Sequence, residues 1–123
     1  MTTGAGERPR VVCLCGSTRF LDAFDAASVA ETLAGRIVLS VASTRASDVE
    51  LFAGLDDAGR AAAIERLGRL HLGKIDLADE ILVLNVGGYI GASTRAEIDY
   101  AHRTGTPVRY LEPPDVQAPS PGG

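Results

Sequence analysis

Val11-Val12-Cys13-Leu14-Cys15-Gly16-Ser17-Thr18-Arg19 is the stretch whose reading decides the fold. Five apolar residues in a row, closed by a glycine, read as a short strand buried on both faces, as strands of parallel sheets are. Gly16 makes the turn. Ser17 is placed to cap a helix expected over residues 19–34, with Gly35 as the glycine just past its end.

The same unit repeats downstream. Residues 36–41 read as a second strand. Residues 42–59 are polar, with a weak helical centre near 49–55, and are expected to form a lid. A long helix is expected over 60–77, with Ile64, Leu67, His71, Ile75 and Ala78 on one face at i, i+3, i+4 spacing. Residues 80–86 read as a third strand and 85–92 as a Gly-rich loop. A helix follows from Ser93 to about residue 103, and Thr104-Gly105-Thr106-Pro107 stops it before a last strand over 108–111. Strand and helix alternate throughout. The fold class expected is therefore α/β: a flavodoxin- or Rossmann-like, doubly wound parallel sheet of four to five strands in three α/β/α layers. Strand 1 is expected between strands 2 and 3. The domain expected spans residues 10–112, with a flexible arm over 1–9 and a disordered tail rich in Pro and Gly over 113–123.

The bulk numbers agree with one globular domain: 123 residues, 46% apolar, 23% charged. A net charge of −4 argues against broad binding to nucleic-acid polymers or anionic membranes. No apolar run approaches the roughly 20 residues of a membrane span, and the polar N-terminus does not read as a signal peptide. Cys13 and Cys15 alternate on one strand face, a geometry that does not suit a disulfide between them. They read as small buried hydrophobes in a reducing cytoplasm. No ligand set for a structural metal is visible, and neither a metal nor another cofactor is expected.

Three copies of Ser-Thr-Arg, at residues 17–19, 43–45 and 93–95, each come after an apolar run read as a strand. Ligands of such sheets bind outside the carboxyl ends of the strands. Three hydroxyl pairs and three guanidinium groups, Arg19 and Arg45 among them, are expected to gather at one sheet edge. Hydroxyls, helix-start N–H groups and guanidinium forks suit a phosphate-bearing small molecule. The other reading is that each Ser or Thr is only a helix cap.

Glu97 is the sharpest candidate for chemistry. An ionised carboxylate in a crevice can attack an electrophilic sugar carbon. Thr94-x-x-Glu97 is equally the pattern of a capping box, in which Glu97 only reaches back to the backbone of Thr94. His71 reads either as a core histidine or as a proton donor projecting into the crevice. Asp76 and Asp79, near the end of the same helix, need a partner, and Lys74, the one lysine of the chain, is the partner expected. Gly88, Tyr89 and Gly91 lie in the binding loop. Tyr89 reads either as a platform for a base or as a loop anchor. Ser93 and Thr94 open the helix that follows.

These segments resemble the nucleoside 2-deoxyribosyltransferase superfamily, which includes the 2′-deoxynucleoside 5′-phosphate N-hydrolases. Cys15-Gly16-Ser17-Thr18-Arg19 is similar to the Cys-Gly-Ser-x-Arg loop that holds the 5′-phosphate in the hydrolases. Residues 71–79 resemble the family helix of form Asp-Leu-x-x-x-x-x-x-Asp, and Ala96-Glu97-Ile98-Asp99-Tyr100-Ala101 is similar to its Tyr-Glu-Leu-Gly-x-Ala. The resemblance implies Glu97 as nucleophile and Gly16, Ser17, Thr18, Arg19 and Ser93 as phosphate contacts. It further implies cleavage of a base–sugar bond, with His71 or Asp76 as proton donor. The chain departs from the family at three places. His71 stands where the first aspartate is expected, Cys13 where a tyrosine is often found, and Gly91 where the transferases carry a further aspartate. The function expected is a nucleoside 5′-monophosphate N-glycosidase or deoxyribosyltransferase-like enzyme, cytoplasmic and homo-oligomeric. The alternative is a non-catalytic nucleotide sensor of the same fold.

Overall fold

The computed structural model describes residues 8–41 and 52–114. Arg45 and its triplet, most of the expected lid, and most of the expected arm and tail lie outside the described residues.

Four parallel strands form one sheet in the order β2-β1-β3-β4: β1 (Val11–Cys15), β2 (Ile37–Ser40), β3 (Glu80–Val83) and β4 (Val108–Tyr110). β1 is the central strand. It pairs with β2 from Val11↔Ile37 to Leu14↔Ser40 and with β3 from Val12↔Glu80 to Cys15↔Val83. Val12 to Cys15 are all fully buried, as an apolar run without alternation requires.

The helices are α1 (Leu21–Leu33), α2 (Asp57–Leu77) and α3 (Ala92–Thr104). Both α1 and α2 pack on β1 and β2, while α2 and α3 also pack on each other. So α1 lies on one face of the sheet and α2 and α3 on the other, as right-handed crossovers demand once the chain reverses direction after β2. The result is the expected doubly wound, three-layer α/β/α architecture, with a topological switch point between β1 and β3.

Boundaries differ from expectation for local reasons. Ser17 caps a single 3₁₀ turn, Thr18–Phe20, accepting the Arg19 N–H at 3.3 Å, and α1 starts only afterwards. Asp56 caps α2 by accepting the Gly59 N–H at 2.7 Å, which starts that helix at Asp57 rather than near residue 60. α3 starts at Ala92, with Gly91 as its N-cap, and stops at Gly105 in the left-handed region (φ 77°).

α2 has 21 residues, about 31 Å of helix, against a five-residue β1 of about 17 Å. Its C-terminal part supplies Ile75, fully buried, to the core. Its N-terminal part stands beyond the carboxyl ends of the strands and makes a wall there. The opposite end of the sheet is closed by charge. Arg109 bridges Glu31 (2.8 Å) and Glu80 (2.9 Å), and Arg36 adds a bond to Glu31 at 3.1 Å. Arg8, expected in a frayed arm, grips Asp79 with two hydrogen bonds of 2.9 and 3.1 Å.

Candidate functional site

A cavity of about 670 Å³ lies at the carboxyl ends of β1 and β3, where the switch point leads one to look. Three segments build it. Gly16, Ser17 and Thr18 come from the turn after β1. Tyr89, Gly91, Ser93, Thr94 and Glu97 come from the loop after β3 and the first turns of α3. Ile64, Leu67, His71 and Leu72 come from α2. Val41 and Phe52 add to its apolar lining.

Glu97 sits in the second turn of α3, and its side chain is 91% buried. The capping box does not form: the N-cap is Gly91, three residues before Thr94, and it makes no side-chain cap bond. Glu97 is thus too far into the helix to reach back to an orphan N–H. Instead its Oε2 lies 3.6 Å from His71 Nδ1. Its Oε1 is buried with no hydrogen-bond partner among the described residues. A buried carboxylate oxygen without a donor is costly in a finished core and is ordinary where a ligand completes the site. His71 is half-buried and lines the cavity wall rather than sitting fully in the core.

Beneath the carboxylate, Cys13 and Cys15 are free thiols, both fully buried. The Cys15 thiol is pushed well above its ordinary range. The hydrogen bond with Cys13 is the largest cause, burial the next, and the charges of Cys13 and Glu97 follow; the thiol also approaches Glu97, but outside hydrogen-bond geometry, so Oε1 keeps no donor. Cys15 therefore stays protonated beside Glu97.

Not all expected residues converge. Arg19 is absent from the cavity lining: its guanidinium lies 4.4 Å from the centre of the Tyr89 ring, beside a smaller cavity of about 420 Å³ that it lines with Phe20, Asp22 and Val86. Arg95 is also absent from the lining, because one helix turn cannot point Ser93, Thr94 and Arg95 the same way. So the hydroxyls of the first and third triplets meet and their guanidinium groups do not. Gly88 carries the positive-φ bend before Tyr89 (φ 83°) and does not line the cavity. Asp76 is exposed, lies outside the lining and accepts the Tyr100 hydroxyl at 2.7 Å. Asp79 is at the far end of the sheet, held by Arg8 and the Val11 N–H. Lys74, expected to hold these aspartates, donates to the Ser40 carbonyl at 2.7 Å.

Sequence reasoning missed Glu65 and Arg69, an i,i+4 pair at 3.2 Å on the cavity rim, and the apolar side made by Val41, Phe52 and Leu72. The length of α2 relative to the strands was the available signal for that wall. Among the described residues no group of three His, Cys, Asp or Glu could hold a metal ion, and no helix is long and apolar enough to cross a membrane. No model of a known protein family and no curated protein matches the chain.

Proposed function

We propose that this chain is a retaining N-glycosidase acting on nucleoside 5′-monophosphates, or a deoxyribosyltransferase-like relative of one. The observation that carries the reading is Glu97: a buried carboxylate with one unpartnered oxygen, next to an imidazole, in the wall of a cavity large enough for a nucleotide. The flanking chemistry is divided to match. Ser17, Thr18, Ser93 and Thr94 and the first N–H groups of α3 suit a phosphate. Val41, Phe52, Ile64, Leu67 and Leu72 suit the flat apolar faces of a base. The likeness to the 2′-deoxynucleoside 5′-phosphate N-hydrolases supports the same assignment.

In this mechanism a Glu97 carboxylate oxygen attacks C1′ of the sugar. The C1′–N bond breaks through an oxocarbenium-like state, and its electron pair leaves with the base. His71 gives the departing nitrogen a proton. Water, or the nitrogen of a second base, then takes C1′ from the glycosyl-enzyme ester and restores Glu97. Holding the phosphate at one end fixes C1′ against the carboxylate. Asp76 drops out of the donor role because it lies outside the lining. Two free, buried thiols suit a cytoplasmic enzyme. Ile64, Leu70 and Leu77, large exposed apolar residues along α2, suit a homo-oligomer.

The test is chromatographic release of free base from ribo- and deoxyribonucleoside 5′-monophosphates and their unphosphorylated counterparts. Release that requires the phosphate and disappears in Glu97→Gln is the expected result. No release, with nucleotides still raising the melting temperature, replaces the enzyme with the nucleotide sensor.

A further inference from the structure

The loop that carries Tyr89 is tied from behind by the chain that leaves β4. The Leu111 N–H bonds to the Val83 carbonyl at 2.8 Å, extending the β3–β4 ladder by one step. There the backbone pairing stops and a side chain takes over. The Glu112 N–H donates to Asn85 Oδ1 at 2.9 Å, and Asn85 Nδ2 donates to the Glu112 carbonyl at 3.0 Å. The Asn85 amide thus stands in for a strand residue, exchanging both bonds with one backbone unit while only 1% exposed. The Glu112 carboxylate then accepts the Gly87 N–H at 3.0 Å.

Gly87 and Gly88 follow with φ of 63° and 83°. That bend carries Tyr89 over to the cavity, where Arg19 lies across its ring and Phe20 meets it edge-on at 5.9 Å. Two residues later Gly91 caps α3. One carboxylate and one buried amide thus tie the start of this loop to the chain that leaves β4, ahead of the contacts that Arg19 and Phe20 make with Tyr89.

We propose that Glu112, with Asn85, is a positioning residue for the binding rim of the cavity: it fixes residues 86–91 so that the Tyr89 ring and the start of α3 face the ligand together. The clamp rests on the proposed function only for the identity of that ligand. Glu112 lines no part of the cavity, and Glu97 and His71 are carried by α3 and α2. Loosening the rim weakens the grip on substrate and leaves the chemical step nearly unchanged.

The experiment compares wild type, Glu112→Ala and Glu112→Gln in the full chain. It measures amide hydrogen exchange over residues 86–91, affinity for nucleoside 5′-monophosphates by calorimetry, and kcat and KM for base release. In Glu112→Ala, exchange at Gly87 rises roughly five- to tenfold, the worth of one hydrogen bond. KM and the dissociation constant rise with it, and kcat stays within about twofold. Glu112→Gln, whose amide oxygen can accept the same N–H, returns these quantities toward wild type. Unchanged exchange in Glu112→Ala overturns the clamp. So does faster exchange with both KM and affinity unmoved, or a Gln variant as impaired as Ala. A wild type that releases no base sinks the glycosidase alone, since exchange and affinity still decide the clamp.

Discussion

Asp79 shows how one side chain fixes where a strand begins. It receives the Arg8 guanidinium and the Val11 N–H, which hold its carboxyl down to about 2 from an ordinary 3.8; Arg8 is the larger cause. A carboxyl whose folded pKa is depressed stabilises the fold fully above its unfolded value, and the contribution is lost as pH falls through the folded one. Asp79→Asn is therefore expected to melt lower than wild type at pH 7, and the gap should close between about pH 4 and pH 2. Parallel melting curves across that window would remove Asp79 as a contributor. Cys13 and Cys15 make the complementary case. Both are fully buried and the Cys15 thiol is pushed up, so neither should be alkylated by iodoacetamide at pH 8 in the native protein, while both label readily in urea. Rapid labelling of the native chain would mean that β1 opens locally. Both residues were readable as buried hydrophobes from their alternation in an apolar run. The partner of Asp79 was not, because a contact across 71 positions of sequence leaves no local spacing to read.

At the scale of elements, the loop from β3 to α3 is where packing and the site depend on each other. A Cβ on Gly91 would lie 3.1 Å from the Tyr89 hydroxyl but 3.4 and 3.6 Å from the nearest ring carbons. The backbone of Gly91 is ordinary extended chain (φ −81°, ψ 176°), so the obstacle is the hydroxyl alone. Gly91→Ala is expected to push Tyr89 off its stack with Arg19 and, under the proposed function, weaken nucleotide binding, at a stability cost of about 1 kcal/mol. Adding Tyr89→Phe removes the clashing atom and should recover most of the binding, measured by calorimetry on the single and double variants. A double variant as weak as Gly91→Ala would show that the ring is not what moved. The glycine was visible as a loop signal, but its pairing with a tyrosine two residues back was not. The same holds for Glu97. Spacing allowed a capping box, and only the true start of α3, one residue before Ser93, moves Glu97 out of reach of it. The strands were legible because apolar runs need no partner to be recognised. Arg19 and Arg95 fall outside the cavity lining because repetition in sequence says nothing about rotation around a helix or about a competing aromatic ring.

The whole molecule divides its polar chemistry between the two ends of one sheet. At the carboxyl ends, polar groups are left open: an unpartnered Glu97 oxygen, hydroxyls and a helix start. At the amino ends, charges are paired: Glu31 and Glu80, both buried, share Arg109, Arg36 and Arg10. A buried pair is costly to break from one side, since the remaining charge has lost its water and its partner. Arg36 and Arg10 would remain after Arg109→Leu, so the loss should fall below that of an isolated pair, about 1–3 kcal/mol. For a domain of this size that lowers the melting temperature by roughly 5–15 °C. Because the cluster is partly buried, 0.5 M NaCl should change that deficit little, unlike an exposed pair. The cavity is at the other end of the strands, so affinity for the proposed nucleotide ligand, measured well below the melting point, should stay within twofold of wild type. A melting temperature within a degree of wild type would make Arg109 a passive bystander. A normal melting temperature with lost affinity would mean that the sheet transmits strain from one end to the other, and the division of labour between its ends would have to be abandoned.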